Sequence, residues 1–245
     1  MDYRSKELPP FLSSENISTS LEIRYSVNNA SCVSRIDYIK RICEGKNVLH
    51  VGCVDHKEVI LRKIKSSTFL HKELCSVSKK CIGVDINKEG VDYLRNLGFI
   101  DVFALDITKV RDDTVMSDHW DYVLLPEIIE HVSDPTLFIK EFLSIYSSVI
   151  SKVIITVPNA FRAGNWKAAK ESKELINSDH KFWFSPYTLQ KITYLAGLEL
   201  EQLLFYDYLF DIKSKKSRVR NYLKIRKLYK SPMLCSGLIG VFVIR

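Results

Sequence analysis

Apolar positions along this chain fall into short blocks with two alternating periods. Val48 to Gly52, Cys81 to Asp85, Ile100 to Leu105, Trp120 to Leu125 and Val153 to Val157 are nearly continuous apolar runs, each closing at or just before a glycine, an acid or a proline. Runs of this length bounded by turn residues predict strands buried on both faces. Between them the spacing becomes helical. Ile36, Ile39 and Ile42 mark a helix over Ser34 to Cys43. Further helices are predicted over about 57–77, over Lys88 to Leu97 with Gly98 as C-cap, and from Asp134-Pro135 to about Ser147. Strands alternating with helices predict a parallel sheet covered on both faces. The rhythm changes near the end. Ser185-Pro186 opens a helix to about Ala196, Leu198 to Tyr208 is extended, and Gly240 to Ile244 forms a last strand. No crossover helix separates these two strands, which predicts an antiparallel pair at one side of the sheet.

The first two strands carry the most chemistry. Asn47-Val48-Leu49-His50-Val51-Gly52-Cys53-Val54-Asp55 is an apolar run that turns polar at a glycine, and Ile82-Gly83-Val84-Asp85 ends the next strand in an acid. Strand, glycine turn, helix and acid-terminated strand form the pattern of a nucleotide-binding βαβ unit. Glycine lets the backbone approach a ligand where a Cβ would clash. Asp85 can accept hydrogen bonds from both hydroxyls of a ribose. The full G-x-G-x-x-G is absent, since Cys53, Val54 and Asp55 follow Gly52. A glycine-poor turn followed by an acid suits a pyrophosphate badly. It suits an adenosine cofactor with a cationic or zwitterionic tail, and S-adenosylmethionine (SAM) is such a ligand.

Composition narrows the class. With 245 residues, 46% of them hydrophobic, the chain is sized for one α/β domain, and no internal repeat or domain boundary is visible. No apolar run reaches the roughly 18 residues of a membrane helix, and the first ten residues lack the apolar stretch of a signal peptide. The cysteines at 32, 43, 53, 75, 81 and 235 include no C-x-x-C pair. They read as reduced thiols of a cytoplasmic protein and argue against a disulfide framework or a zinc site. Residues 1–20, with prolines, serines and mixed charges, predict a mobile or loosely packed arm. The net charge of +7 is concentrated between Lys213 and Lys230, which span nine cations and no acid. Val219, Tyr222 and Leu223 recur there at helical spacing, which predicts a basic amphipathic helix at a membrane surface or against a phosphorylated acceptor. Base stacking would call for more aromatics, so no nucleic acid is expected.

Taken together, VLHVGC, CIGVDI, Asp121 to Val132 with its Glu-His-Val ending, and VIITVPNAF resemble, in order and spacing, the motifs of class I SAM-dependent methyltransferases over roughly 47–200. Asp179 to Leu189 further resembles members from glycan and natural-product pathways. The resemblance implies a Rossmann-like, doubly wound, mostly parallel seven-stranded sheet with an antiparallel last strand. It implies that Gly52 passes beneath the methionine part of SAM, with Cys53 beside it, and that Asp85 holds the ribose, with Ile86 next in the chain. It places Asp106 beside the adenine amino group, Ile107 against its ring, and Pro126 and Glu127 near the methyl donor. The chain departs from the family at His50, where an acid usually helps hold the SAM ammonium. Asp55 is the candidate replacement.

Methyl transfer to a hydroxyl benefits from a base with a pKa near working pH, which favours histidine. His131 follows the fourth strand, and His180 lies in the 160–185 connection, where such folds place a lid. These two are the base candidates. His50, His56, His71, Glu127 and Glu130 include no pair with a strong metal spacing, so no metal is predicted. Phe161, Trp166, Phe182, Trp183, Phe184 and Tyr187 suit either a sugar ring or flat acceptor, or the core of a lid. The expected reaction is O-methylation of a sugar, glycan or other small acceptor by a cytoplasmic enzyme, either free or peripheral to a membrane. The alternatives are small-molecule N-methylation and a non-catalytic interaction protein that binds an anionic partner.

Overall fold

The computed structural model describes residues 1–26, 31–209 and 215–245. In chain order it contains α1 (Pro9–Leu12), β1 (Cys32–Val33), α2 (Arg35–Cys43), β2 (Asn47–Val51), α3 (Lys57–Lys65), α4 (Leu70–Cys75), β3 (Lys80–Asp85), α5 (Lys88–Asn96), β4 (Val102–Ala104) and α6 (Asp113–Met116). These are followed by β5 (Trp120–Pro126), α7 (Pro135–Tyr146), β6 (Ile150–Pro158), α8 (Ala163–Lys170), α9 (Pro186–Leu195), β7 (Leu198–Tyr206), α10 (Lys215–Arg220), α11 (Tyr222–Lys230) and β8 (Gly237–Ile244).

The sheet order is β1-β7-β8-β6-β5-β2-β3-β4. β8 runs antiparallel to both β6 and β7, and every other neighbouring pair is parallel. The expected α/β class and the reversed last strand are therefore present. The described sheet has eight strands where seven were expected. The addition is the two-residue β1, which pairs with β7 through Cys32–Phe205 and Val33–Tyr206. So short a segment carries no periodicity of its own.

Alternate strand residues face opposite layers, as the pleat requires. Val123, Leu125, Val153 and Ile155 join one apolar cluster, while Leu124 and Ile154 join the other. Helix starts follow their caps. Ser34 accepts Asp37 N–H, Asn87 accepts Gly90 N–H and Asp134 accepts Leu137 N–H, while Ser185 and Thr188 form a reciprocal capping box.

Three expectations change. The single helix predicted over 57–77 is two helices, broken at Ser66–Phe69 with Ser67 at φ 55°. Ser66 Oγ bonds the carbonyls of Arg62 and Lys63, so the Ser-Ser-Thr run offers the backbone an alternative to helix. The arm is packed in its first part, while residues 14–20 are exposed. Tyr3, Leu8 and Leu12 are buried, and Asp2 bridges Arg24. The basic segment contains two helices, with Leu228 buried against the core. Lys213 lies outside the described residues, as do the side chains of Arg218 and Arg220. No described helix is long and apolar enough to cross a membrane.

Candidate active site

The carboxyl ends of β2, β3, β4 and β5 border a cleft of about 850 Å³. Gly52, Cys53, Asp55, Asp85, Ile86, Asp106, Ile107, Pro126 and Glu127 all line it. Gly52 adopts φ +67°, and a Cβ there would come within 2.8 Å of Ile128 Cδ1. Its N–H donates to Val84 O at 2.8 Å, which ties the turn to the end of β3. Asp85 Oδ2 accepts Val54 N–H at 3.0 Å, and Oδ1 accepts Asn87 N–H at 2.9 Å. One carboxylate thus holds both loops that flank the cleft. Burial raises the Asp85 pKa above its ordinary value, opposed by these backbone donors. Asp106 Oδ1 accepts both Thr108 N–H and its hydroxyl. Ile86 is 78% exposed, an apolar surface beside Asp85.

The position where the family usually has an acid behaves differently. His50 is buried, with its Nδ1 3.2 Å from His71 Nδ1. Burial, then the His71 and Arg35 charges, push its pKa well below the usual value, so it is neutral. Asp55 forms an ion pair with Lys63 and accepts His56 N–H, so its charge is already matched.

At the donor end of the cleft, Glu127 sits at φ 55°. Its Oε1 accepts Thr156 Oγ1 at 2.9 Å and Tyr206 OH at 2.8 Å, and Arg35 Nη1 lies 3.6 Å away. Arg35, Thr156 and Tyr206 come from α2, β6 and β7, so nothing local in the sequence marks them as partners of Glu127.

Next to Glu127 lies a cluster assembled from two distant segments. Ligand atoms of Glu130, His131 and His180 all fall within 4.8 Å of one another. Glu130 is fully buried, and neither carboxylate oxygen has a hydrogen-bond partner. Burial first, then the Glu127 charge, raise its pKa to about 9. His131 Nδ1 lies 2.8 Å from Asp179 Oδ2, and its ring meets His180 edge-on at 4.7 Å between centroids. His180 Nδ1 is buried without a partner, and burial lowers its pKa, reinforced by His131. His131 lines the cleft, and His180 stands behind it against Trp183. Lys181 N–H donates to Glu130 O at 2.8 Å, which pins the two segments together. No metal is expected from spacing, yet a buried carboxylate with two imidazoles is a ligand set for a borderline divalent cation. Asp179 and Glu130 are members that sequence reasoning missed as site residues. Of the aromatic group, Phe184 is buried in the core, while Phe161, Trp166 and Phe182 are exposed.

The cleft fits SAM. It has a glycine at positive φ in its first turn, the Asp85 carboxylate in its wall and the exposed apolar Ile86 side chain beside it. Residues 28–203 match the family described as a methyltransferase domain. No curated protein matches the sequence. Solved structures share the fold. A small RNA methyltransferase, HEN1, superposes with a TM-score of 0.57 at 15% identity, over 86% of this chain and 25% of its own. A possible histamine N-methyltransferase from Thermotoga maritima gives 0.55 at 13% identity, over 86% and 88%. The magnesium protoporphyrin IX methyltransferase from Synechocystis, with SAH bound, gives 0.52 at 11%, over 86% and 82%. This chain thus spans about a quarter of the length of the small RNA enzyme it matches.

Proposed function

The chain belongs to the methyltransferase-domain family and is a class I SAM-dependent methyltransferase, and on that premise we propose that it methylates a hydroxyl of a sugar unit, on a glycan or another small acceptor. The observation that carries this reading is the Glu130–His131–His180 cluster beside the donor end of the cleft. Bound SAM supplies a methyl group on a sulfonium, open to in-line displacement by a held nucleophile. A hydroxyl, unlike an amine, must lose its proton to attack well, so a built cluster of acceptors favours oxygen as the target. Asp179 Oδ2 accepts a hydrogen bond from His131 Nδ1–H, which leaves Nε2 as the acceptor. His180, kept neutral by burial, is the second acceptor. A divalent cation on Glu130, His131 and His180 would instead lower the pKa of a bound sugar hydroxyl. Asn177 and Asp179 of the 160–185 segment line the cleft, and the same segment exposes Phe161, Trp166 and Phe182.

Screening nucleotide sugars and glycolipids for SAM-dependent mass gain tests the reading. Parallel arms with chelator, Mg²⁺ and Mn²⁺ separate base from cation. Turnover only on amines, with H131A and H180A as active as wild type, would overturn it.

Charge favours a second reading. A net charge of +7, carried largely by α10 and α11, suits a polyanion, and one structural relative is a small RNA methyltransferase. The sugar would then be a ribose of RNA. Methyl transfer to a short RNA oligonucleotide, lost when its terminal diol is oxidised, would favour this over a glycan.

A further inference from the structure

His71 and Cys75 sit one turn apart on α4, and Cys81 opens the adjacent strand β3. Their ligand atoms lie within 4.8 Å of one another, on the opposite side of His71 from His50. From this geometry we propose a second site, outside the methyl-transfer cluster, that binds one zinc-like soft divalent cation through His71 Nε2, Cys75 Sγ and Cys81 Sγ. In the sequence the set is H-x₃-C followed by a strand cysteine, a spacing that contains neither C-x-x-C nor a histidine pair.

Distances support the assignment. Zinc bonds of about 2.3 Å to sulfur and about 2.0–2.1 Å to nitrogen, at tetrahedral angles, put S and N about 3.6 Å apart. His71 Nε2 and Cys75 Sγ are 3.7 Å apart. The helix supplies two ligands at i and i+4, on one face, and the third comes from a different element; three protein ligands leave the fourth tetrahedral position open. Thiolate and imidazole select zinc over magnesium or calcium.

The surroundings are built for this ring position. A Cβ on Gly83 would meet His71 Cε1 at 2.8 Å, so β3 gives up a side chain where the imidazole lies. Phe69 and Phe99 pack on the same ring, at 6.4 and 5.8 Å between centroids. The other nitrogen is held as well. His71 Nδ1 lies 3.2 Å from the buried His50 Nδ1, and in the tautomer in which His71 donates, its Nε2 lone pair is left for the metal. His50 is thus a positioning residue for this site, which accounts for a histidine where the family usually has an acid. Cys75 is exposed, which leaves an entry path and an open fourth position for water.

The test uses the full chain, reduced, stripped with chelator and titrated with Co²⁺ and then Zn²⁺. We expect one equivalent of Co²⁺ to bind with a near-ultraviolet thiolate-to-metal charge-transfer band, which Zn²⁺ then bleaches, and a Zn²⁺-dependent rise in Tm. C75S, at an exposed position, and C81S lose the band. E130Q and H131A keep it, which separates this site from the methyl-transfer cluster. H50A retains the band but binds Zn²⁺ about 10–100-fold more weakly, as loss of an orienting partner does. Absence of the charge-transfer band in wild type, or Zn²⁺ affinity and Tm shift unchanged in both C75S and C81S, would overturn the site. His50 and His71 also line the SAM cleft, so SAM calorimetry on the same variants separates loss of the metal site from loss of the cofactor site.

Discussion

His131 Nδ1 and Asp179 Oδ2 meet at 2.8 Å across a separation of 48 residues. The contact joins the end of β5 to the 160–185 connection and sets which imidazole nitrogen faces the cleft. Asp179 is 78% exposed, so the pair adds little to stability. Its role is orientation. D179N is therefore expected to lower kcat several-fold, leaving SAM affinity unchanged and stability within about 0.5 kcal/mol. Steady-state kinetics, SAM calorimetry and denaturant melts check this. Equal losses of kcat and stability would assign Asp179 a structural role instead.

Gly52→Ala places a side chain at positive φ and against Ile128. Left-handed backbone costs a non-glycine residue about 1–2 kcal/mol. A comparable loss of stability is expected, with weaker SAM binding because the turn must shift. Urea unfolding and calorimetry measure both effects. Unchanged values for each would mean that the turn is not the cofactor cradle.

Asp85→Ala removes the acceptor for both Val54 and Asn87 N–H groups. Hydrogen bonds to a charged group are worth about 1.5–3 kcal/mol each. SAM affinity should fall by at least about tenfold, the equivalent of about 1.4 kcal/mol. Titration of wild type and variant with SAM gives the answer, and equal dissociation constants would remove Asp85 from the site.

Glu130 sets a pH dependence of stability. Its folded pKa is raised to about 9, chiefly by burial, from an ordinary 4.5. Below about pH 4.5 both folded and unfolded chains hold the proton, and the group costs nothing. As pH rises from there toward 9, the unfolded chain ionises first and stability is lost. At pH 7 the loss is on the order of 3 kcal/mol. Glu130→Gln should therefore be more stable than wild type at pH 8, with the difference shrinking toward pH 5. Chemical denaturation across that range tests it, and a gap independent of pH would contradict the assignment.

The basic helices expose Val219, Tyr222 and Leu223 among Lys215, Lys216 and Lys224. Each cation near an anionic leaflet contributes about 1 kcal/mol. The protein should sediment with vesicles containing anionic lipid, but not with neutral ones, and raised salt should release it. Recovery in the supernatant throughout would leave these helices as a solvated surface.

The wall of the cleft was legible because it is local. Gly52, Asp85, Asp106 and Pro126-Glu127 each stand at the end of an apolar run, and a parallel sheet lines up those ends along one edge. Period and punctuation determine strand ends, so nine expected residues converge on one cleft. Even the reversed β8 was readable, from the missing crossover helix. What lay beyond the pattern was pairing between segments far apart in the chain. The partners of Glu127, the closure of Glu130 and His131 by His180 and Asp179, and the meeting of α4 with Cys81 all depend on which elements pack together. So does the burial of Tyr3, Leu8 and Leu12, in an arm whose composition reads as solvent-facing. Periodicity records which face of an element is apolar. Only packing decides which other face it meets, and with it which buried polar atoms find a partner and which are left waiting for a ligand.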